Sequence, residues 1–105
     1  MNEEKQGTIL CDVLKSLRIA KGLSIKQLSK ESGISASYIA EIEKGQKTQP
    51  SLDTLSKYSE ALDVKRSTIM FFQEEFEDKR YSFQEMLLNI LEKMVKTSKI
   101  STQKD

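Results

Sequence analysis

The stretch that decides the fold reads SIKQLSKESGISASYIAEIEKG, residues 24–45. Ser24 has the chemistry of a helix N-cap, and Gln27 stands three residues on as its capping-box partner. A short helix is expected from there to about residue 32, with Leu28 turned inward. Gly33 breaks it, because a tight turn between two helices needs a left-handed backbone that glycine adopts without a Cβ clash. Ile34 then points to the core, and Ser35 caps a further helix that runs to about residue 44. Ile39 and Ile42 form its buried stripe, and Gly45 ends it. The other side carries Ala36, Ser37, Ala40, Glu41 and Lys44, with Tyr38 at the edge. That face is too poor in large apolar side chains to be a second core face, and it suits a DNA major groove about 12 Å wide.

Outward from this unit the pattern stays helical. Ile9, Leu10, Val13, Leu14, Leu17 and Ala20 recur at helical spacing and predict a first helix over residues 8–21, stopped by Gly22. Cys11 lies in it and reads as a small apolar residue, buried or half-buried. Downstream, residues 46–50 are polar and form a loop. Pro50 and Ser51 open a fourth helix whose Leu52, Leu55, Tyr58 and Leu62 share one face. Ser67 can cap a fifth carrying Ile69, Met70 and Phe72, with Phe76 at its limit. Four acids between Glu74 and Asp78, followed by Lys79 and Arg80, predict a connector over residues 74–81. Ser82 then caps a last helix over residues 82–97, and a polar tail, residues 98–105, is expected to fray.

Composition narrows the function. The chain has 105 residues, 37% hydrophobic and 31% charged, which is enough for a small folded core with a highly solvated surface. One proline and four glycines argue against a strand-and-turn design. With one cysteine and no histidine, an intramolecular disulfide is excluded, and neither a structural zinc site nor a His-based catalytic pair is expected. No enzyme activity and no cofactor is expected. No apolar run approaches a membrane span, and the first residues lack a signal-peptide core, so a cytoplasmic location is the default. Net charge is only +1, yet residues 15–49 hold seven basic side chains against three acids. A basic half beside an acidic stretch is consistent with one face meeting phosphates.

Two short helices around a glycine turn make a helix-turn-helix, and here the sequence resembles the Cro and lambda-repressor-like, or XRE-type, regulators. The motifs are LRIAKGLS at 17–24, the glycine turn, YIAEIEKG at 38–45, PSLDTL at 50–55 and ALDV at 61–64. The resemblance covers residues 14–64, about half the chain. It implies an all-α protein, with a five-helix DNA-binding domain over residues 8–73 followed by the C-terminal amphipathic helix, and a homodimer on double-stranded operator DNA. It also implies that Ser35, Ala36, Ser37 and Glu41 meet base edges and that Tyr38 reaches a phosphate or a thymine methyl. Lys26 and the loop residues Gln46, Lys47 and Thr48 then face the sugar-phosphate backbone, with Lys44 beside them. Arg18 and Glu43 match a pair that bridges the first and third helices, with Arg18 also close to a phosphate. Ile25 departs from the pattern, since glutamine usually stands there and contacts phosphate.

In the last helix Phe83, Leu87, Ile90 and Met94 follow the alternating spacing of a two-helix seam, and Met86, Leu91 and Val95 widen the stripe. Such a stripe packs on its own domain, pairs with the same helix of a second chain, or binds another protein. Dimerisation is the expectation, with Phe83, Met86, Leu87, Ile90, Leu91 and Met94 as its interface, because a five-helix domain would already bury its own faces. The leading function is a transcriptional regulator, a repressor by preference. The alternative is an antitoxin or anti-regulator module whose C-terminal helix takes a protein partner and whose DNA binding is autoregulatory.

Overall fold

The computed structural model describes residues 2–45, 50–77 and 81–104, with side chains described over 9–45, 50–77 and 81–94. Those residues form six helices: α1 (Asn2–Ala20), α2 (Ile25–Ser32), α3 (Ala36–Glu43), α4 (Leu52–Leu62), α5 (Arg66–Glu77) and α6 (Phe83–Lys104). α1 is the central element and packs against α3, α5 and α6, while α2 packs against α3 and α4. Leu10, Val13, Leu14 and Leu17 of α1 meet Leu28, Ile34, Ile39, Ile42, Leu62, Ile69 and Phe72 in one continuous core. No described helix is long and apolar enough to cross a membrane.

Local chemistry sets the helix boundaries around the turn. The Ser24 hydroxyl accepts from the Gln27 backbone N–H, and the Gln27 side chain accepts from the Ser24 N–H, closing the expected capping box. Gly33 follows α2 with φ 80°, the left-handed conformation that its position in the turn requires. The Ser51 hydroxyl caps α4 by accepting from Thr54 N–H at 3.1 Å. α6 opens on a second reciprocal box, Ser82 with Glu85.

The structure moves four helix boundaries relative to the sequence reading. α1 begins at Asn2 rather than near residue 8, because Glu3, Glu4, Lys5 and Gln6 are good helix formers with no apolar periodicity to betray them. α5 begins at Arg66, with the Lys65 carbonyl accepting the first N–H bonds, so Ser67 is inside the helix and does not cap it. The acidic stretch is not a connector through residue 77. It is the last turn of α5, held down by Phe76, which is buried, stacks with Phe72 and meets Tyr81 edge-on at 4.7 Å. Residues 78–80 of the expected connector lie outside the described residues. α6 continues to Lys104, through most of the expected polar tail.

The largest correction concerns where α6 belongs. Met86 and Ile90 are buried in the same core as α1, so the first five helices do not close a core without the sixth. Lys15 on α1 places its ammonium 4.9 Å from the centre of the Phe83 ring, which adds a cation–π contact to the same seam. In exchange, two side chains expected inside are outside: Leu52 is 66% exposed and Met70 52%.

Candidate nucleic-acid interface

α3 is two turns long and has two unlike sides. Ile39, Ile42 and Glu43 are buried, while Ser35, Ala36, Ser37 and Lys44 are exposed and Ala40 and Glu41 half-buried. Residues 36, 37, 40, 41 and 44, exposed or half-buried, recur at the spacing of one helical face. Ser35 caps the helix, its hydroxyl accepting from Tyr38 N–H at 3.2 Å and lying 3.5 Å from the Ser37 hydroxyl. Two adjacent hydroxyls, a methyl, a carboxylate and an ammonium therefore share a surface that no described element covers. Tyr38, expected at the edge, is half-buried and packs partly on the core.

The phosphate-facing candidates divide. Lys26 is exposed in the first turn of α2, where no acidic side chain opposes it. The helix N-terminus there presents backbone N–H groups and a positive dipole end, both favourable to an anion. Ile25 is half-buried against the core and leaves no polar group at its position. Gln46, Lys47 and Thr48 lie outside the described residues.

Arg18 and Glu43 meet as the resemblance implied. Arg18 Nε donates to Glu43 Oε2 and Nη2 donates to Oε1, each at 2.8 Å, and Nη1 donates to the Leu23 carbonyl at 2.8 Å. The two side chains are 11% and 4% exposed. A guanidinium so enclosed and so engaged has little left for a phosphate, and the phosphate contact expected of Arg18 finds no support in this geometry. The hydrogen bond to Glu43 raises the Arg18 pKa, so the guanidinium stays charged.

Sequence reasoning missed a third member. Tyr58 of α4, read as one more apolar position on its stripe, donates its hydroxyl to Glu43 Oε2 at 2.7 Å. Burial, and then the neighbouring Glu43 charge, raise the Tyr58 pKa, so the phenol remains a donor. The available signal was general: a buried tyrosine hydroxyl has to find a partner. Cys11 sits close by, buried beneath the end of α3. Burial, and secondarily Asp12, raise its pKa, against the partial opposition of the Gly45 backbone N–H, so it is held as the thiol.

The residues expected at a dimer seam are dispersed by the fold. Met86 and Ile90 are spent within the chain's own core, and Met94 packs partly against it. Phe83, Leu87 and Leu91 are half-buried, and Leu88, which was not among the candidates, is 66% exposed.

The Helix-turn-helix family model matches residues 14–69. The HTH-type transcriptional regulator SlrR of Bacillus subtilis is 46% identical over 52 residues, covering 50% of this chain and 34% of SlrR. The regulator SinR of Bacillus licheniformis is 36% identical over 64 residues, covering 61% of this chain and 58% of SinR. This chain thus spans less than two thirds of the length of either relative. Among solved structures, the restriction-modification controller protein C.AhdI from Aeromonas hydrophila superposes with a TM-score of 0.57 at 35% identity, over 60% of this chain and 94% of that one. The matched region contains the capping box, the Gly33 turn, the two-sided α3 and the Arg18–Glu43 pair, and the chain belongs to the XRE-type, lambda-repressor-like helix-turn-helix family of DNA-binding proteins.

Proposed function

We propose that the chain is a transcriptional repressor that occupies a pseudo-palindromic operator as a homodimer. The observation that carries this reading is α3, with one face locked into the core and the other small, polar and uncovered. Laid in the major groove, such a face brings Ser37 and Glu41 to base edges, where a hydroxyl pairs with either hydrogen-bonding partner and a carboxylate accepts from cytosine N4. Ala36 offers its methyl to thymine. Lys26 and Lys44 flank these readers and supply sequence-independent attraction to phosphates. The named roles of SlrR and SinR as transcriptional regulators support the same reading.

One two-turn helix reads only a few base pairs, so a second copy is needed for a long site. The proposed surface for it is the apolar face that the fold leaves open on α4 and α5. Leu52 and Met70 are exposed there, beside a cavity of about 210 Å³ lined by Leu52, Leu55, Arg66, Ser67, Ile69 and Met70. Exposed Leu88 favours a second reading, in which α6 carries a different protein partner.

Selection of bound duplexes from a random pool tests the proposal. The expected consensus has a dyad, with half-sites about one helical turn, roughly 34 Å, apart. A consensus without a dyad defeats the dimer. Sedimentation of Met70→Glu beside Leu88→Glu separates the two surfaces: loss of the dimer in the first alone assigns it to α4 and α5. A promoter-reporter assay that shows activation on binding overturns repression.

A further inference from the structure

We infer that Tyr58 is a positioning residue for DNA reading, its hydroxyl fixing the Glu43 carboxylate and, through it, the rotation of α3 about its own axis. The inference rests on the DNA-binding reading above. The attachment of α3 to the domain is made of two kinds of contact. Ile39 and Ile42 press it onto the core, but apolar burial is non-directional and resists lifting more than turning. The directional contacts converge on Glu43, in the last turn, where Arg18 engages both carboxylate oxygens from α1 and Tyr58 engages Oε2 from α4.

The arginine fork alone leaves a degree of freedom. The guanidinium is itself anchored by the Leu23 carbonyl, yet the Glu43 carboxylate can still pivot about the line of the fork while keeping both bonds. Tyr58 removes that freedom, because it approaches from a third element on a rigid side chain that is fully buried. Hydrogen bonds tolerate only a few tenths of an ångström in length and weaken steeply with angle. The lever is short but sufficient. With side chains reaching roughly 5–6 Å from the helix axis, a rotation of roughly 10° carries a side-chain tip about 1 Å. That displacement spoils the contacts of Ser37 and Glu41 with base edges, and it barely matters to Lys26, which sits on α2 and is indifferent to sequence.

The test uses the full chain with Tyr58→Phe, which keeps the ring in its packing and removes only the donor. Affinities for the selected duplex and for a random duplex are measured well below the unfolding midpoint, and amide hydrogen exchange is followed along α3 and α5. The expected result is a loss of about three- to tenfold in affinity for the selected duplex, the range a single hydrogen bond supplies. Random-duplex affinity stays unchanged, and exchange quickens in α3 and not in α5. Para-aminophenylalanine placed at position 58, which restores an N–H donor, is expected to restore discrimination. A lowered melting temperature with discrimination intact overturns the inference, and so does an equal loss on both duplexes. If Tyr58→Phe does not fold, the hydroxyl serves the fold rather than the reading, which overturns it as well. A wild-type chain that binds both duplexes equally defeats the DNA-reading proposal itself, whereas a discriminating wild type matched by Tyr58→Phe defeats only this inference.

Discussion

α3 and α6 are both amphipathic, and they are attached to the domain in different ways. The buried side of α3 includes a charged residue held by partners from two other helices. The buried side described for α6 is Met86 and Ile90, apolar side chains set against α1. Their free sides differ too: α3 offers hydroxyls, a methyl, Glu41 and Lys44, while α6 offers Leu88. A polar, small face is readily hydrated until a hydrogen-bonding groove replaces the water, whereas an exposed leucine offers apolar contact alone. The contrast teaches that apolar contacts suffice where a helix need only be present. A directional clamp is added where the helix must also be aimed.

The largest expected effect tests whether α6 is needed at all. Removing residues 82–105 is expected to abolish cooperative unfolding, and Ile90→Ala alone to cost about 2–5 kcal/mol, against a total stability of roughly 5–15 kcal/mol for a domain of this kind. Urea denaturation of the two variants checks it, and a truncated chain that unfolds as cooperatively as the full one would erase the distinction drawn here. Next comes the clamp. Glu43→Ala strands a buried guanidinium and a buried phenol, and is expected to cost about 3–5 kcal/mol in thermal unfolding; a cost below about 1 kcal/mol would make the clamp incidental.

On the free face of α3 the effect moves from stability to binding. Ser37→Ala and Glu41→Ala should each lose about 1–3 kcal/mol on the selected duplex and relax one base position, while calorimetric stability stays within about 0.5 kcal/mol of wild type. Unaltered base preference in both would move the reading elsewhere on the chain. Lys26→Ala should instead weaken all duplexes alike and lower the salt slope by about one. The smallest effect is expected at α6, where Leu88→Gln should change unfolding free energy by less than about 0.5 kcal/mol. A larger loss would show that the leucine is covered in solution.

Much of the fold was legible because its signals are local. Ser24 with Gln27, Ser35, Ser51 and Ser82 announce helix starts through bonds that span three residues, and Gly33 announces its backbone by having no Cβ. The exposed face of α3 followed from helical spacing alone. What escaped depends on distant partners. An apolar stripe such as that of α6 says that something must cover it, and not which element does. Acid content disguised the last turn of α5, although Phe72 and Phe76 stand four residues apart on one face. Tyr58 and Glu43 are brought together from different helices, and no periodicity relates them.

The seam between α1 and α6 has a consequence for how the domain comes into being. Lys15 and Phe83 touch across it, so the contact that completes the core joins the first helix to the last. Such a pairing must meet the loop-closure entropy of the intervening chain before any of its apolar contacts are gained. During synthesis, at roughly 5–20 residues per second, the interval between the appearance of the two helices is on the order of several seconds. Over that interval Leu10, Val13 and Leu14 lack their final cover, and the nascent helix-turn-helix has the open face of α3 before it has its finished core. Folding of this domain is therefore gated by the emergence of α6, and a pause in translation shortly before it would lengthen the time that α1 spends exposed to aggregation or to chaperones.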